Sequence, residues 1–285
     1  MKRFRGKRAG VLLAGALLAA TASQGYYHFV HFASRFGPFQ EIPLKFNLTA
    51  LTNKTVFYFI SDQGPGAYNS NDNLNAVVSE IHAAANVWNS VSTSDIRLAF
   101  GGFQASGTTA ATPGIDVVFS ADIPPGLLEL AGPTVPSINT SFNSANLAAA
   151  ANGGNNFVPI VRSTLIMNQD LSQQPASFTE AFFTTLVHEF GHALGLQHTL
   201  TSSAMSTQVT RGTSKASPLG PDDIAGISLL YPAANFGTGT GSVTGQVTLN
   251  GSGVGMASVV AISPSGAAVS SKPAAASMAP ANADN

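Results

Sequence analysis

The eleven residues HEFGHALGLQH, His188 to His198, contain three of the chain's six histidines. A helix turns by about 100° per residue, so His188 and His192 lie on one helical face with Glu189 beside them. If the helix continued, it would rotate His198 about 240° away from His192 and carry it about 9 Å along the axis. Gly195 stands where a left-handed turn would end the helix and bring the chain back. The sequence therefore predicts that His188, His192 and His198 share one metal ion.

The helix that carries these histidines is predicted to be buried. Ser177 and Glu180 form a capping-box pattern, which predicts that the helix begins at Ser177. Its apolar residues are Phe182, Phe183, Leu186, Val187, Phe190, Ala193 and Leu194. A buried helix avoids ionisable side chains unless they are paired or bind a metal. This favours metal binding over the alternative, three buried histidines that are bonded only to backbone groups.

The composition restricts both the metal ligands and the partners. The chain has no cysteine, which excludes disulfides, a thiolate nucleophile and a cysteine-type zinc site. Any metal site must therefore use histidines and carboxylates. Charged residues make up 9% of the chain and the net charge is -1, so no basic surface for nucleic acid is expected. The 285 residues, 44% of them hydrophobic, suffice to bury a domain core.

Three neutral imidazoles suit zinc and leave its fourth coordination position open, as in catalytic zinc sites. Zinc in such a site lowers the pKa of water and polarises a carbonyl group. Glu189 would accept a proton from the attacking water and pass it to the leaving amine. This segment therefore predicts hydrolysis of peptide bonds without a covalent intermediate.

The pattern HExxHxxGxxH, from His188 to His198, resembles the zinc signature of metzincin metallopeptidases. Met205, in the stretch SSAMS, is similar to the family's Met-turn methionine, which forms an apolar floor below the imidazoles. The run from LVHEFGHALGLQH through GPDDIAGISLLYP is most similar to the matrixins, the matrix-metalloproteinase group. Asp222 and Asp223 match the paired aspartates in the first turn of the last matrixin helix.

The resemblance implies an α+β zincin/metzincin fold, with a twisted mixed five-stranded sheet, three main helices and an active-site cleft between upper and lower subdomains. It implies one catalytic zinc ion, a protein or peptide substrate and a monomer. The substrate would lie antiparallel to an edge strand, for which LLELA, Leu127 to Ala131, is the candidate. The family tends to accept an apolar residue just after the scissile bond. Calcium is compatible with the resemblance, but the scattered carboxylates assign no site to it.

The sequence departs from related families in two respects. Thr207 stands two residues after Met205, where astacin-like and serralysin-like relatives have a tyrosine that binds zinc. We therefore expect no tyrosine ligand. The sequence also has no cysteine-switch prosegment, so latency would need another mechanism.

The chain divides into five predicted segments. Residues 1–22 combine basic residues, a short apolar run and a small-x-small pattern, which predict a cleaved secretory signal rather than an uncleaved anchor. The mature protein would then be secreted, periplasmic or on the cell surface, without stable membrane insertion. An N-terminal segment (23–54), the catalytic domain (55–232) and a Gly/Thr/Ser linker (233–242) follow. Residues 243–285 predict a partial β module with an Asn-Gly hairpin and a disordered tail. This module resembles the start of a carboxypeptidase-regulatory-like domain of exported bacterial proteins.

Other stretches predict the elements around the site. Apolar residues from Leu74 to Trp88 recur at helical spacing, and strands are predicted at 55–61, 96–100, 114–120 and 159–168. Residues 139–156 have the composition of a surface loop. His28 and His31 could form a second metal site, but no third ligand lies nearby, which favours packing. His82 is expected on a solvated helix face.

Together these observations predict a secreted zinc-dependent endopeptidase. His188, His192 and His198 would bind the metal, and Glu189 would be the general base. Met205 and Gly195 would support the site. The alternative is a surface adhesion or binding module that keeps the fold and the metal without turnover. The intact glutamate favours the enzyme, because a structural zinc would fill its fourth position with a protein ligand.

Overall fold

A computed structural model describes residues 28–32, 41–105, 107–110, 113–123, 127–134, 157–199, 201–207, 211–239, 247–253, 257–260 and 278–281. The predicted signal (1–22) and surface loop (139–156) lie outside these residues. The described residues contain three α-helices and a mixed five-stranded sheet, which confirms the α+β fold.

The bounds of the elements are as follows. The helices are α1 (Leu74–Asn89), α2 (Glu180–Ala193) and α3 (Pro221–Leu230). The strands are β1 (Val30–Phe32), β2 (Glu41–Lys45), β3 (Thr55–Ser61), β4 (Arg97–Gln104), β5 (Gly114–Ser120), β6 (Glu129–Thr134), β7 (Val158–Pro159), β8 (Arg162–Asn168), β9 (Thr248–Leu249), β10 (Ser252–Gly253), β11 (Ala257–Val260) and β12 (Met278–Ala281). Short 3-10 helices span Leu48–Ala50, Thr52–Lys54 and Phe236–Thr238.

The main sheet has the strand order β4-β3-β5-β8-β6. Strands β4, β3, β5 and β8 run parallel, whereas β6 pairs antiparallel with β8 and forms one edge. The predicted edge strand LLELA is confirmed, but the strand begins two residues later, at Glu129, and continues to Thr134. An antiparallel strand at an open edge can accept an extended peptide.

Helix α1 connects the sheet to the helix of the histidines. Its buried face includes Val77, Ile81 and Trp88, which confirms the predicted amphipathic helix. The indole Nε1 of Trp88 donates a hydrogen bond of 3.0 Å to the carbonyl oxygen of Val187 in α2. Because a buried N–H needs a partner, this bond fixes α1 against the turn of α2 that carries His188.

The N-terminal segment packs into the same core as the catalytic domain. Strand β1 pairs with β2, and β2 pairs in parallel with β7. Leu44 and Phe46 are buried in the main hydrophobic cluster. The backbone N–H of Phe29 donates to the carbonyl oxygen of Gly195 at 2.9 Å. This segment therefore supports the turn that follows α2.

Helix α2 begins at Glu180, so the prediction of a start at Ser177 is wrong. Thr179 is the N-cap, and its hydroxyl oxygen accepts from the backbone N–H of Phe182. The backbone N–H and the hydroxyl of Ser177 instead donate to the carboxylate of Asp72, at 2.8 and 2.6 Å. Ser177 therefore bonds to a carboxylate that is distant in sequence and does not cap the helix as the local pattern predicted.

We expect Thr179→Ala to lower the free energy of unfolding by about 1 kcal/mol, because one N–H of the first turn loses its acceptor. Thr179→Ser keeps that acceptor and is the control. Denaturant unfolding of both variants measures the difference. Equal stability of the two variants would contradict the assignment of Thr179 as the cap.

The described residues after 246 form two short antiparallel pairs, β9 with β10 and β11 with β12. Asn250 and Gly251 join the first pair with φ values of 53° and 81°. Positive φ at both positions is typical of a type I′ turn, which confirms the predicted Asn-Gly hairpin. Of the predicted tail, residues 278–281 are described, and they form β12. Among the described residues, no helix combines the length and hydropathy needed to cross a bilayer.

Candidate metal centre

The three histidines predicted to share a metal ion lie together. Helix α2 places His188 and His192 one turn apart, and the helix ends at Ala193. Gly195 has a φ of +104°, and the chain turns back through a hydrogen bond of 2.9 Å from Leu196 N–H to the carbonyl oxygen of Gly191. His198 Nε2 consequently lies 3.1 Å from the Nε2 atoms of both other histidines. The predicted break and return at Gly195 are confirmed.

Only glycine fits at position 195. A Cβ atom there would lie 2.5 Å from the carbonyl oxygen of Leu44 in β2, and real Cβ atoms do not approach backbone this closely. The positive φ is also unfavourable for residues with a side chain. Backbone conformation and close packing against β2 therefore both require Gly195.

Backbone carbonyls fix the orientation of two imidazoles. His188 Nδ1 lies 2.6 Å from the carbonyl oxygen of Ala204, and His192 Nδ1 lies 2.8 Å from that of Leu196. A carbonyl only accepts, so each Nδ1 carries the proton and each Nε2 presents a lone pair to the centre. The two lone pairs face His198 Nε2, which has at most one proton to offer.

A cation satisfies this arrangement. Each of the three histidines offers one ligand nitrogen, and these nitrogens lie within 4.8 Å of one another. Two nitrogens bound tetrahedrally to zinc at about 2.05 Å would be about 3.3 Å apart, close to the 3.1 Å observed. The donor set therefore fits zinc.

The surroundings keep the imidazoles neutral. Burial lowers the pKa of His188 to about 3 and that of His192 to about 4. Burial also lowers the pKa of His198. All three rings are therefore neutral at pH 7, the state in which imidazole binds a metal.

Met205 lies against the helix of the first two histidines. It is buried, and a Cβ atom at Gly191 would lie only 2.2 Å from its sulfur. Its backbone N–H and that of Ala204 donate to the carboxylate of Asp223, at 2.9 and 2.7 Å. The Asp223 carboxylate also accepts from Gly220 N–H. The first turn of α3 thus holds the methionine loop.

Glu189 lies beside the histidine cluster and is 7% exposed. Burial raises the pKa of its carboxyl to about 7, whereas Arg211 and a hydrogen bond from the backbone of Ala131 oppose this shift. The hydrogen bond joins α2 to the edge strand β6. A carboxyl group with a pKa near neutrality can both accept and return a proton.

Comparison with known proteins identifies the family. The matrixin family profile matches residues 52–232. The chain belongs to the matrixin family. The family is one of zinc metallopeptidases, and the three-histidine cluster of this chain could hold the metal. The matrixin is also 42% identical over 66 residues to the hatching enzyme of Paracentrotus lividus, a match that covers 23% of this chain and 11% of that protein.

The sequence did not indicate that two charged residues, Arg211 and Glu129, lie near Glu189. Arg211 lies within electrostatic range of Glu189, of Asp223 and of a further carboxyl group, that of Glu129. Glu129 is only 3% exposed. Its sole signal in the sequence was an acidic residue inside the apolar stretch LLELA.

The remaining histidines of the matrixin lie apart from this centre. His28 Nε2 lies 3.1 Å from the carbonyl oxygen of Gly226 in α3, so His28 packs against that helix. His82 Nδ1 lies 2.6 Å from the hydroxyl of Tyr58, and its ring contacts Phe100. His82 is partly exposed, so the predicted solvated position is confirmed only in part, because Tyr58 of β3 and Phe100 of β4 contact its ring.

We expect His28 to make the stability of the matrixin depend on pH. Burial lowers its pKa from 6.5 to about 4, so the unfolded chain binds the proton more tightly. Stability should therefore fall as the pH drops from about 6.5 to 4. His28→Gln should remove up to about 3 kcal/mol of this loss. Denaturant unfolding at pH 7 and pH 4.5 measures it, with His31→Gln as the control. Parallel pH profiles for wild type and His28→Gln would contradict the expectation.

Proposed function

We propose that this matrixin is a secreted zinc-dependent endopeptidase that uses Glu189 as its general base. One observation carries the proposal. The Nε2 atoms of three neutral histidines converge, His198 at 3.1 Å from each of the other two, and a buried glutamate lies next to them. This combination places a metal site and a proton acceptor in one centre.

Zinc, when bound, supplies a Lewis acid that lowers the pKa of water and polarises the carbonyl group of the substrate. The chain's own residues do the rest. Glu189 orients the attacking water, accepts its proton and donates that proton to the nitrogen of the leaving amine. Burial of the Glu189 carboxyl raises its pKa, which favours its role as a base that takes up the proton and passes it on. His198 is exposed, which leaves the centre accessible from its side.

Strand β6 is the proposed substrate platform. It ends the main sheet, and its free edge pairs with no other strand in the described part of the chain. An extended peptide can add to such an edge through main-chain hydrogen bonds. The hydrogen bond from Ala131 to Glu189 joins this strand to the proposed base, so a peptide on β6 would pass beside Glu189.

Protein or peptide substrates, a monomeric state and export complete the proposal. The family supports the substrate class. The signal-like residues 1–22 support a secreted or cell-surface location. The net charge of -1 argues against a nucleic-acid partner.

A quenched peptide library assayed on the zinc-loaded chain tests this proposal. We expect one zinc per chain, cleavage inside peptides, loss of cleavage on chelation and recovery when zinc is added back. Magnesium added to the chelated protein is the control and should restore nothing. Bound zinc without cleavage of any peptide would favour the adhesion or binding module.

A further inference from the structure

His198 lacks the support that orients the other two histidines of the cluster. The rings of His188 and His192 are each held by a backbone carbonyl, that of Ala204 at 2.6 Å and that of Leu196 at 2.8 Å. In the described part of the chain, the ring of His198 has no such carbonyl, and its Nε2 faces only the other two rings. The position of His198 therefore depends on how the backbone next to it is held.

Thr199, the residue after His198, is buried and is held on two sides. Its backbone N–H donates to the carbonyl oxygen of Met205 at 3.0 Å, which joins this segment to the methionine loop. Its hydroxyl donates to Oδ2 of Asp222 in α3, and the same oxygen accepts from the hydroxyl of Thr201 at 2.7 Å. A helix that begins more than twenty residues later thus holds the backbone beside the third histidine.

The carboxylate of Asp222 bonds only to this segment among the described residues. Oδ2 accepts from the two threonine hydroxyls, whereas Oδ1 is buried without a hydrogen-bond partner. A buried carboxylate with one unpaired oxygen costs free energy, and an apolar side chain would avoid that cost. Stability alone therefore does not explain an aspartate at this position.

Asp223, the next residue, holds a different part of the metal centre. Its carboxylate accepts from the backbone N–H groups of Ala204 and Met205, at 2.7 and 2.9 Å. Consecutive residues of a helix point about 100° apart, so two adjacent acids in the first turn of α3 can reach two different segments. Asp223 reaches the methionine loop, and Asp222 reaches the segment after His198.

We infer that Asp222 is a positioning residue that holds His198 in the metal centre through the hydroxyl of Thr199. The inference rests on the metal site of the proposed function. Thr199 is joined directly to the ligand, so a shift of Thr199 moves the imidazole away from the other two. Partners of this kind, one layer outside the ligands, contribute about 10- to 100-fold to metal affinity.

Zinc affinity of the full chain tests the inference without turnover. We expect Asp222→Ala and Thr199→Val each to raise the zinc dissociation constant by about tenfold or more. Thr199→Ser keeps the hydroxyl and should stay close to wild type. Asp72→Ala is the matched control, because it removes another carboxylate that accepts from a hydroxyl, that of Ser177 at 2.6 Å. It should lower the free energy of unfolding but leave the zinc dissociation constant unchanged.

A His198→Ala background shows whether Asp222 acts through His198. In this background Asp222→Ala should cause no further loss of zinc affinity, and Thr199→Val gives the same comparison if Asp222→Ala does not fold. An equal loss in both backgrounds, or an Asp222→Ala variant that binds zinc as tightly as Asp72→Ala, overturns the inference and leaves the proposed function standing. A wild-type chain that binds zinc and cleaves no peptide overturns the proposed function alone.

Discussion

Replacement of Glu189 by alanine should lower kcat for peptide hydrolysis by about 10²- to 10⁴-fold, the usual contribution of a general acid–base residue. The carboxyl group lies beside the histidine cluster but is not part of it, because the clustered ligand atoms belong to His188, His192 and His198. Zinc content should therefore stay at the wild-type value. Steady-state kinetics together with elemental analysis measures both quantities.

Glu129→Gln is a matched control for this variant. Glu129 is another buried carboxyl group close to Glu189, but the proposed mechanism gives it no proton to transfer. Its replacement should change kcat by less than about tenfold, whereas Glu189→Gln should match Glu189→Ala. If Glu189→Ala keeps its activity, Glu189 is not the general base. If Glu189→Ala loses its zinc, Glu189 has a structural role in the metal site.

Gly195→Ala should destabilise the protein and weaken zinc binding together. The Cβ atom would meet the carbonyl oxygen of Leu44 at 2.5 Å, and the backbone would keep a φ of +104°. Backbone strain of this kind costs about 1–3 kcal/mol. The turn must also move to relieve the clash, which lowers the free energy of unfolding further. We expect a total loss of about 3 kcal/mol or more. Because the turn places His198, zinc affinity should fall as well.

Two other glycines separate these effects. Gly102 has a φ of +120° with nothing within 4 Å of an added Cβ, so Gly102→Ala measures backbone strain alone. Gly132 has neither a positive φ nor a close neighbour, so Gly132→Ala should be nearly neutral. Gly195→Ala should have a lower unfolding free energy and a higher zinc dissociation constant than either of these two variants. Gly195→Ala with wild-type zinc affinity would show that the turn does not position His198.

The geometry of the histidine cluster was predictable because it depends on local rules. The spacing of His188 and His192 follows from helix periodicity, and Gly195 marks the turn through its backbone freedom. The open edge strand was also predictable, from a short apolar run between glycine and proline. In each case the deciding residues are close in sequence.

The unpredicted features depend on contacts between distant segments. The local pattern predicted Ser177 as the helix cap, but its N–H and hydroxyl donate to the carboxylate of Asp72, 105 residues away. Asp223 looked like an ordinary first-turn acid, but it holds the backbone of Met205. Arg211 follows Glu189 by more than twenty residues in the sequence, yet its charge lies within electrostatic range of the Glu189 carboxyl. A local sequence pattern does not show which distant residues the fold brings into contact.

Trp88 is the only tryptophan in the 285 residues, and its indole bonds to Val187, one position before His188. A Cβ atom at Gly191 would lie 2.9 Å from the same ring, so the indole also borders the segment between the first two histidines. Its fluorescence emission therefore comes from one place, the wall of the metal centre. Titration with zinc can be followed by this intrinsic signal, without an attached dye.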